Sequence, residues 1–176
     1  MSILKVARMG HPVLRQRARP LEPSEIRGTP IQKLIEDMFE TMSEYHGIGL
    51  AAPQVHESVR IFVAGLESGE PLPPIVLINP EIAPTGPAIV DDWEGCLSIP
   101  DLRGQVPRAQ EISVKAYDHK GKRIEMTARA YAARVIQHET DHLDGILFLD
   151  RMRSFDTLTY LDEFGRYWSR EEVAPE

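Results

Sequence analysis

A single cysteine, Cys96, stands in a chain of 176 residues. No disulfide can form within the chain, so a reducing compartment is the simpler setting and stability has to come from a packed core. Positive charge is also short: 20 Lys and Arg face 27 Asp and Glu, a net charge of −7. That balance lacks the basic footprint of a protein whose main ligand is DNA or RNA. Arg15, Arg17 and Arg19 are a local exception, and such a run reads as a solvated face. No apolar stretch approaches the roughly 20 residues that span a bilayer, and Met1 to Gly10 has no apolar core of a secretory signal. The expectation is a cytoplasmic protein with no membrane partner. With no internal repeat and no linker, residues 1–170 read as one domain, and the acidic end, 171–176, as a flexible tail.

What is present is ordered by punctuation and period. Gly10-His11-Pro12 reads as a turn, and Pro20 and Pro23 forbid a long helix before residue 29. Thr29 as N-cap, Pro30 at the first position and Gln32 completing a capping box predict a helix start. Ile31, Leu34, Ile35, Met38, Phe39 and Met42 give it one apolar stripe, and Gly47 closes it. Short β-like runs follow at Val59–Ala64 and Ile75–Ile78, with Glu67 to Pro74 as the loop between them. Pro84, Gly86 and Pro87 leave any strand over 82–90 short or at an edge. Gln110–Asp118 alternates, and Asp118-His119-Lys120-Gly121 turns it back into a strand over 122–127. A second helix is expected from Thr127 or Ala128 to Asp144, closed by Gly145, and a last one from Ser154 to Trp168.

The second helix carries the chemistry. His138 and His142 lie four apart, one turn along the same helical face, so both imidazoles reach one metal ion. Glu139 projects beside them, placed to handle a proton. Two histidines four apart are common by chance, and a third ligand decides what they mean. Cys96 offers one as a thiolate; its bland alternative is a small buried hydrophobe. A Cys-His-His set leaves one tetrahedral position open, the pattern of a catalytic rather than a structural site. Gly47-Ile48-Gly49-Leu50-Ala51-Ala52-Pro53-Gln54 has little side-chain bulk, which suits close approach of another backbone and equally suits a tight turn.

These residues resemble a known family. Gly47–Gln54, Glu94-Gly95-Cys96-Leu97-Ser98 and Gln137-His138-Glu139-Thr140-Asp141-His142-Leu143-Asp144-Gly145 are similar, in that order, to the three motifs of peptide deformylases, and Met9 to Arg15 resembles that family's start. The resemblance covers residues 3 to 152. It implies an α+β fold with antiparallel sheets around a central metal-binding helix, and hydrolysis of the formyl group from formyl-methionyl nascent chains. It implies Cys96, His138 and His142 as metal ligands and Glu139 as general acid/base. Gln54 (side chain) and Leu97 (backbone N–H) become oxyanion donors. Ile48, Gly49 and Gly95 line the substrate channel, with Ile48 and Val135 as walls of a methionine pocket. Fe²⁺ is the favoured metal, and Zn²⁺, Ni²⁺ or Co²⁺ also suit the donors. A nascent-chain substrate leaves room for transient association with the ribosome. Asp141 reads as a carboxylate behind the ligands and Asp144 as a surface one. One departure stands out: the family commonly has glycine where Ala130 stands.

Two other readings compete. H-E-x-x-H alone suggests a metallopeptidase, whose third ligand is usually His or Glu rather than a cysteine in Glu-Gly-Cys-Leu-Ser. A metal-stabilised binding module requires a fourth protein ligand and a closed site.

Overall fold

The computed structural model describes residues 2–65 and 72–169. The expected loop at Glu67–Pro74 falls largely outside them, as does the acidic tail. A short helix α1 (Pro23–Ile26) leads to α2 (Thr29–Glu44), then β1 (Gly49–Ala51), β2 (Ile61–Ala64), β3 (Ile75–Pro84), β4 (Ile89–Cys96), β5 (Ile99–Ala109), β6 (Glu111–Tyr117) and β7 (Arg123–Arg129). The chain continues as α3 (Ala130–Leu143), α4 (Phe148–Arg151), β8 (Thr159–Tyr160) and α5 (Leu161–Tyr167). Strands pair antiparallel in a five-stranded sheet, β1-β2-β3-β6-β7, and a three-stranded sheet, β4-β5-β8. This is the α+β arrangement expected from sequence.

Side-chain alternation explains the layering. In β2, Ile61 and Val63 pack with Ile35, Met38 and Met42 of α2, while Phe62 and Ala64 pack on the other face with Ala133, Ile136 and Leu143 of α3. A strand buried on both faces reads as a continuous apolar run, as Ile-Phe-Val-Ala does. Helix α3 therefore lies between two sheets. Its apolar side meets the five-stranded sheet, and Arg134, His138 and Asp141, at helical spacing, face Glu94 and Arg108 of the β4–β5 hairpin. Among the described residues no helix is long and apolar enough to cross a membrane.

Several sequence expectations are corrected. The cap of α2 is Gly28, not Thr29, because the Gln32 amide donates to the carbonyls of Ile26 and His119, 2.7 and 2.9 Å away, instead of reaching back to the cap. At the other end His46, with φ 54°, holds the left-handed position that Gly47 was expected to hold, and Gly47 N–H closes on the Met42 carbonyl. Gly47 is small for another reason: a Cβ there would lie 2.9 Å from Leu97 Cδ1. The strand expected over Ile75–Ile78 runs on to Pro84, and Gly86 and Pro87 fall in the connection to β4, so 82–90 is divided between two strands; β4 and β5 form one long hairpin over 89–109. The last helix shrinks to α5. Thr159–Tyr160 pairs instead with Leu102–Arg103, and the turn before it is closed by Leu158 N–H on the Phe155 carbonyl. The basic run, by contrast, is the exposed face expected of it, and its arginines are ion-paired there: Arg15 with Asp150, Arg17 with Asp144, Arg19 with Glu25.

Helix α3 starts two or three residues later than its alanines suggest, because Thr127–Arg129 continue the ladder against Glu111–Ser113. The switch from strand to helix passes through Ala130, whose φ is 49°. A left-handed alanine costs about 1–2 kcal/mol, which explains why glycine suits this position. Ala130→Gly is expected to raise stability by about 0.5–1 kcal/mol, the glycine's extra unfolded-state entropy offsetting part of the relief. A urea midpoint that falls instead of rising rejects this account. The end of α3 needs its glycine outright: Gly145 has φ 74°, and a Cβ there would sit 2.8 Å from backbone of Arg15.

Candidate active site

Three segments far apart in sequence converge on one face of α3. Cys96 closes β4 and pairs with Ile99 across the two-residue turn Leu97–Ser98, so its side chain sits at a stiff hairpin tip. Its Sγ lies 3.2 Å from His142 Nε2, and the ligand atoms of Cys96, His138 and His142 all fall within 4.8 Å of one another. Tetrahedral coordination separates such donors by about 3.5 Å at ordinary Zn–N and Zn–S lengths. The donor set therefore fits one divalent cation.

Electrostatics agree with that fit. Burial opposes a thiolate at Cys96, yet the two imidazoles outweigh it and hold the thiol well below its ordinary value. Burial likewise opposes a charged His138, and Cys96 and Glu94 outweigh it in the raising direction. Buried negative charge beside imidazoles is what a divalent cation satisfies. Among the described residues, His142 Nδ1 and Glu139 Oε2 are buried without a hydrogen-bond partner. Burial pushes the Glu139 carboxyl up to about 7, and a cation on the neighbouring ligands would pull it back down.

Behind the histidines lies a buried ion network that sequence reading missed. Glu94 Oε2 accepts from His138 Nδ1 at 2.8 Å, which leaves Nε2 to face Cys96 and fixes the ring's orientation. The same carboxylate accepts from Arg108 at 2.9 and 3.0 Å and from Arg134 at 2.8 Å. Burial disfavours its charge, but His138 and Arg108 prevail and hold the carboxyl down at about 2. Arg108 continues to Asp141 at 2.6 Å, and Asp141 pairs with Arg151. Asp141 thus stands behind the ligands as expected. Asp144 is the outer partner of Arg60, at 2.7 Å. A signal was available: Arg134 is one turn before His138, and Glu94 sits in the cysteine motif.

Gln54 is held from both ends. Its Oε1 accepts from Ala51 N–H at 2.8 Å, so its amide nitrogen faces Ser98 Oγ at 3.1 Å and Cys96 Sγ at 3.5 Å. The N-terminal segment, read as mere punctuation, ties the two motifs together: Ala7 N–H donates to the Gln54 carbonyl and Met9 N–H to the Ser98 carbonyl, each at 2.7 Å. Gly49 packs against the Glu139 carboxylate so closely that a Cβ would lie 2.3 Å from Oε1.

An open cleft of about 700 Å³ runs across these groups. Of the residues singled out from sequence, Ile48, Gly49, Gln54, Gly95, Cys96, Leu97, Val135, His138 and Glu139 line it, and His142 stands just behind. Trp93, Arg103, Tyr131 and Leu161 line it too and were not anticipated.

The chain matches the family model described as polypeptide deformylase over residues 3–157. It is 41% identical to peptide deformylase 2 of Nostoc sp., with 89% of this chain and 90% of that one aligned. Among solved structures it resembles the peptide deformylase of Thermotoga maritima, with 41% identity, a TM-score of 0.79 and coverage of 88% and 100%. It also resembles the Met-Ala-Ser-bound class I type b peptide deformylase of Acinetobacter baumannii, with 37% identity, a TM-score of 0.83 and coverage of 86% and 100%.

Proposed function

The chain belongs to the polypeptide deformylase family, and from that premise we propose how its own residues carry the reaction. It is a metal-dependent hydrolase that removes the N-terminal formyl group from formyl-methionyl nascent chains and releases formate. One observation supports the assignment of roles most strongly: the Cys96, His138 and His142 donors converge in an open cleft shared with Glu139 and Gln54.

In this reading Cys96, His138 and His142 hold one divalent cation, which supplies Lewis acidity and makes water a nucleophile near neutral pH. Fe²⁺ is the proposed occupant, with Zn²⁺, Ni²⁺ and Co²⁺ compatible with the same donors. Glu139, which lines the cleft, takes the proton of the attacking water and delivers it to the departing amine nitrogen. The Gln54 amide and the Leu97 N–H donate to the formyl oxygen as negative charge gathers there; Gln54 is already oriented by Ala51, so no reorganisation is needed.

The substrate backbone is proposed to join the sheet. β1 is an edge strand of the five-stranded sheet. Ile48 C=O is used inward by Gly65 N–H, so the alternation of an antiparallel ladder turns the Gly49 N–H and C=O outward. An extended peptide pairs there and against Gly95, with main-chain bonds indifferent to its sequence. Ile48 and Val135 supply apolar wall for methionine. A cytoplasmic setting and transient ribosome association follow from a nascent-chain substrate and belong to the same reading. The test is formate release from formyl-Met-Ala-Ser by anaerobically purified protein, with metal analysis of the sample. About one metal per chain and untouched peptide bonds are expected. Cleavage of internal bonds with the formyl group retained overturns it.

A further inference from the structure

The two groups assigned to the developing oxyanion come from different layers of the fold. Gln54 stands on the single helical turn Ala52–Val55 after β1, and Ala52 and Val55 belong to the core under α2. Leu97 is at the tip of the β4–β5 hairpin, whose Cys96 and Ile99 belong to a separate core with Phe148. Among the described residues no ladder joins the two sheets. Donors stabilise a transition state only when their placement is fixed before its charge develops.

The segment 2–9 supplies such a link. Its backbone first donates to α2, from Ser2 N–H to Asp37 Oδ1 at 2.9 Å and from Leu4 N–H to Thr41 Oγ1 at 2.8 Å. It then donates from Ala7 N–H to the Gln54 carbonyl and from Met9 N–H to the Ser98 carbonyl, each at 2.7 Å. Side chains follow the same course: Leu4 packs on the core under α2, and Ala7, 2% exposed, is part of the core that holds Cys96. The last two backbone bonds thus clamp the residue that carries the amide and the turn that carries the Leu97 N–H.

A further tie is direct. Ser98 is fully buried, and its Oγ accepts from the Gln54 amide nitrogen at 3.1 Å. That nitrogen has two hydrogens. With Oε1 fixed by Ala51 N–H and one hydrogen on Ser98, the other is left to turn toward Cys96 Sγ, 3.5 Å away, and the cleft. Ser98 does not itself line the cleft, so it acts on a substrate only through Gln54.

Resting on the deformylase reading, we propose that Ala7, through its backbone N–H, and Ser98, through its hydroxyl, are positioning residues for the oxyanion donors Gln54 and Leu97. The N-terminal segment is thereby part of the catalytic apparatus, although neither residue touches the substrate.

Two variants and a control test this with formyl-Met-Ala-Ser. Ser98→Ala removes the acceptor behind the Gln54 amide. Ala7→Pro removes the N–H at a position outside any helix or strand. Each is expected to lower kcat about 10–100-fold, short of the ~10²–10³ that follows loss of a whole donor. KM and metal content are expected to stay at wild-type values, because the oxyanion contacts count in the transition state. Leu4→Pro is the control: it removes the bond to Thr41 on α2 and is expected to lower the melting temperature while kcat is kept. In a Gln54→Ala background Ser98→Ala is expected to cost nothing further, since the group it positions is gone. That cycle stands even if Ala7→Pro does not fold. Wild-type kcat in Ser98→Ala, a loss carried by KM, an undiminished Ser98→Ala effect without Gln54, or equal kcat losses in Leu4→Pro and Ala7→Pro overturns the positioning role and leaves the deformylase reading in place. No formate from wild type overturns both.

Discussion

Glu139→Gln is expected to lower formate release by about 10²–10⁴-fold, the usual worth of a positioned acid/base group. The amide keeps the carboxylate's shape, which matters because Gly49 leaves no slack beside it. It cannot carry a proton from water to the amine. Glu139 is not among the converging ligand atoms, so metal content is expected to stay at the wild-type stoichiometry. Thermal stability is not expected to fall, since Oε2 has no hydrogen-bond partner to lose. The loss should appear in kcat rather than KM, because a group that acts on the proton contributes in the transition state. Loss of metal together with activity would reassign Glu139 to the ligand set; activity within a few fold of wild type would remove it from the chemistry.

Glu94→Gln is expected to cost about 3–5 kcal/mol of stability, the scale for breaking a buried ion network by removing one charge. Arg108 and Arg134 are both buried and both lean on this carboxylate, and an amide presents one end of donors to a cluster that is itself all donors. A second consequence separates this residue from a purely structural one. Glu94 holds His138 by Nδ1, and loss of such a partner typically weakens metal binding about 10–100-fold. Competition with a chelator at a temperature where the variant is fully folded measures the second effect apart from the first. A variant with wild-type metal affinity and reduced stability would confine Glu94 to the fold. One with both unchanged would mean the network is not what holds α3 to the hairpin.

Both predictions concern α3, and the helix shows how far sequence carries the argument. His138, Glu139 and His142 were legible from a helical period alone, because their relation is local to one element. Cys96 was legible as a candidate because it has no competitor of its type. Gln54, Leu97 and Gly95 were legible only through resemblance, since nothing in their local patterns says they meet a metal-binding helix. Glu94 and Arg108 were not legible at all. A Glu and an Arg on exposed-looking strands become buried partners only when β4 and β5 fold back onto α3, and periodicity carries no information about which charged face another element will cover. The C-terminal segment was misread for a related reason. Phe155, Leu158, Leu161 and Trp168 have rough helical spacing, but the free edge of β5 at Leu102 and Arg103 captured Thr159–Tyr160 as a strand. Tertiary pairing overrode a weak local preference. Ala130 runs the other way: its departure from the family's glycine was visible, and its meaning, a left-handed residue at a strand-to-helix switch, was not.

By itself the sequence determined the class of chemistry: two imidazoles and a carboxylate on one helical face, one thiol, and small residues ending in an amide. These are properties of residue type and short spacing. The tertiary structure decided the rest. It brought the thiol to 3.2 Å from an imidazole, aimed the amide with a backbone N–H, and buried the arginines that keep Glu94 charged. It also paired a C-terminal strand with β5 and brought Leu161, at the start of α5, to the cleft. The physical reason is that burial and orientation come from long-range packing, and both the charge state of a buried group and the direction of a hydrogen bond depend on neighbours that sequence separation hides.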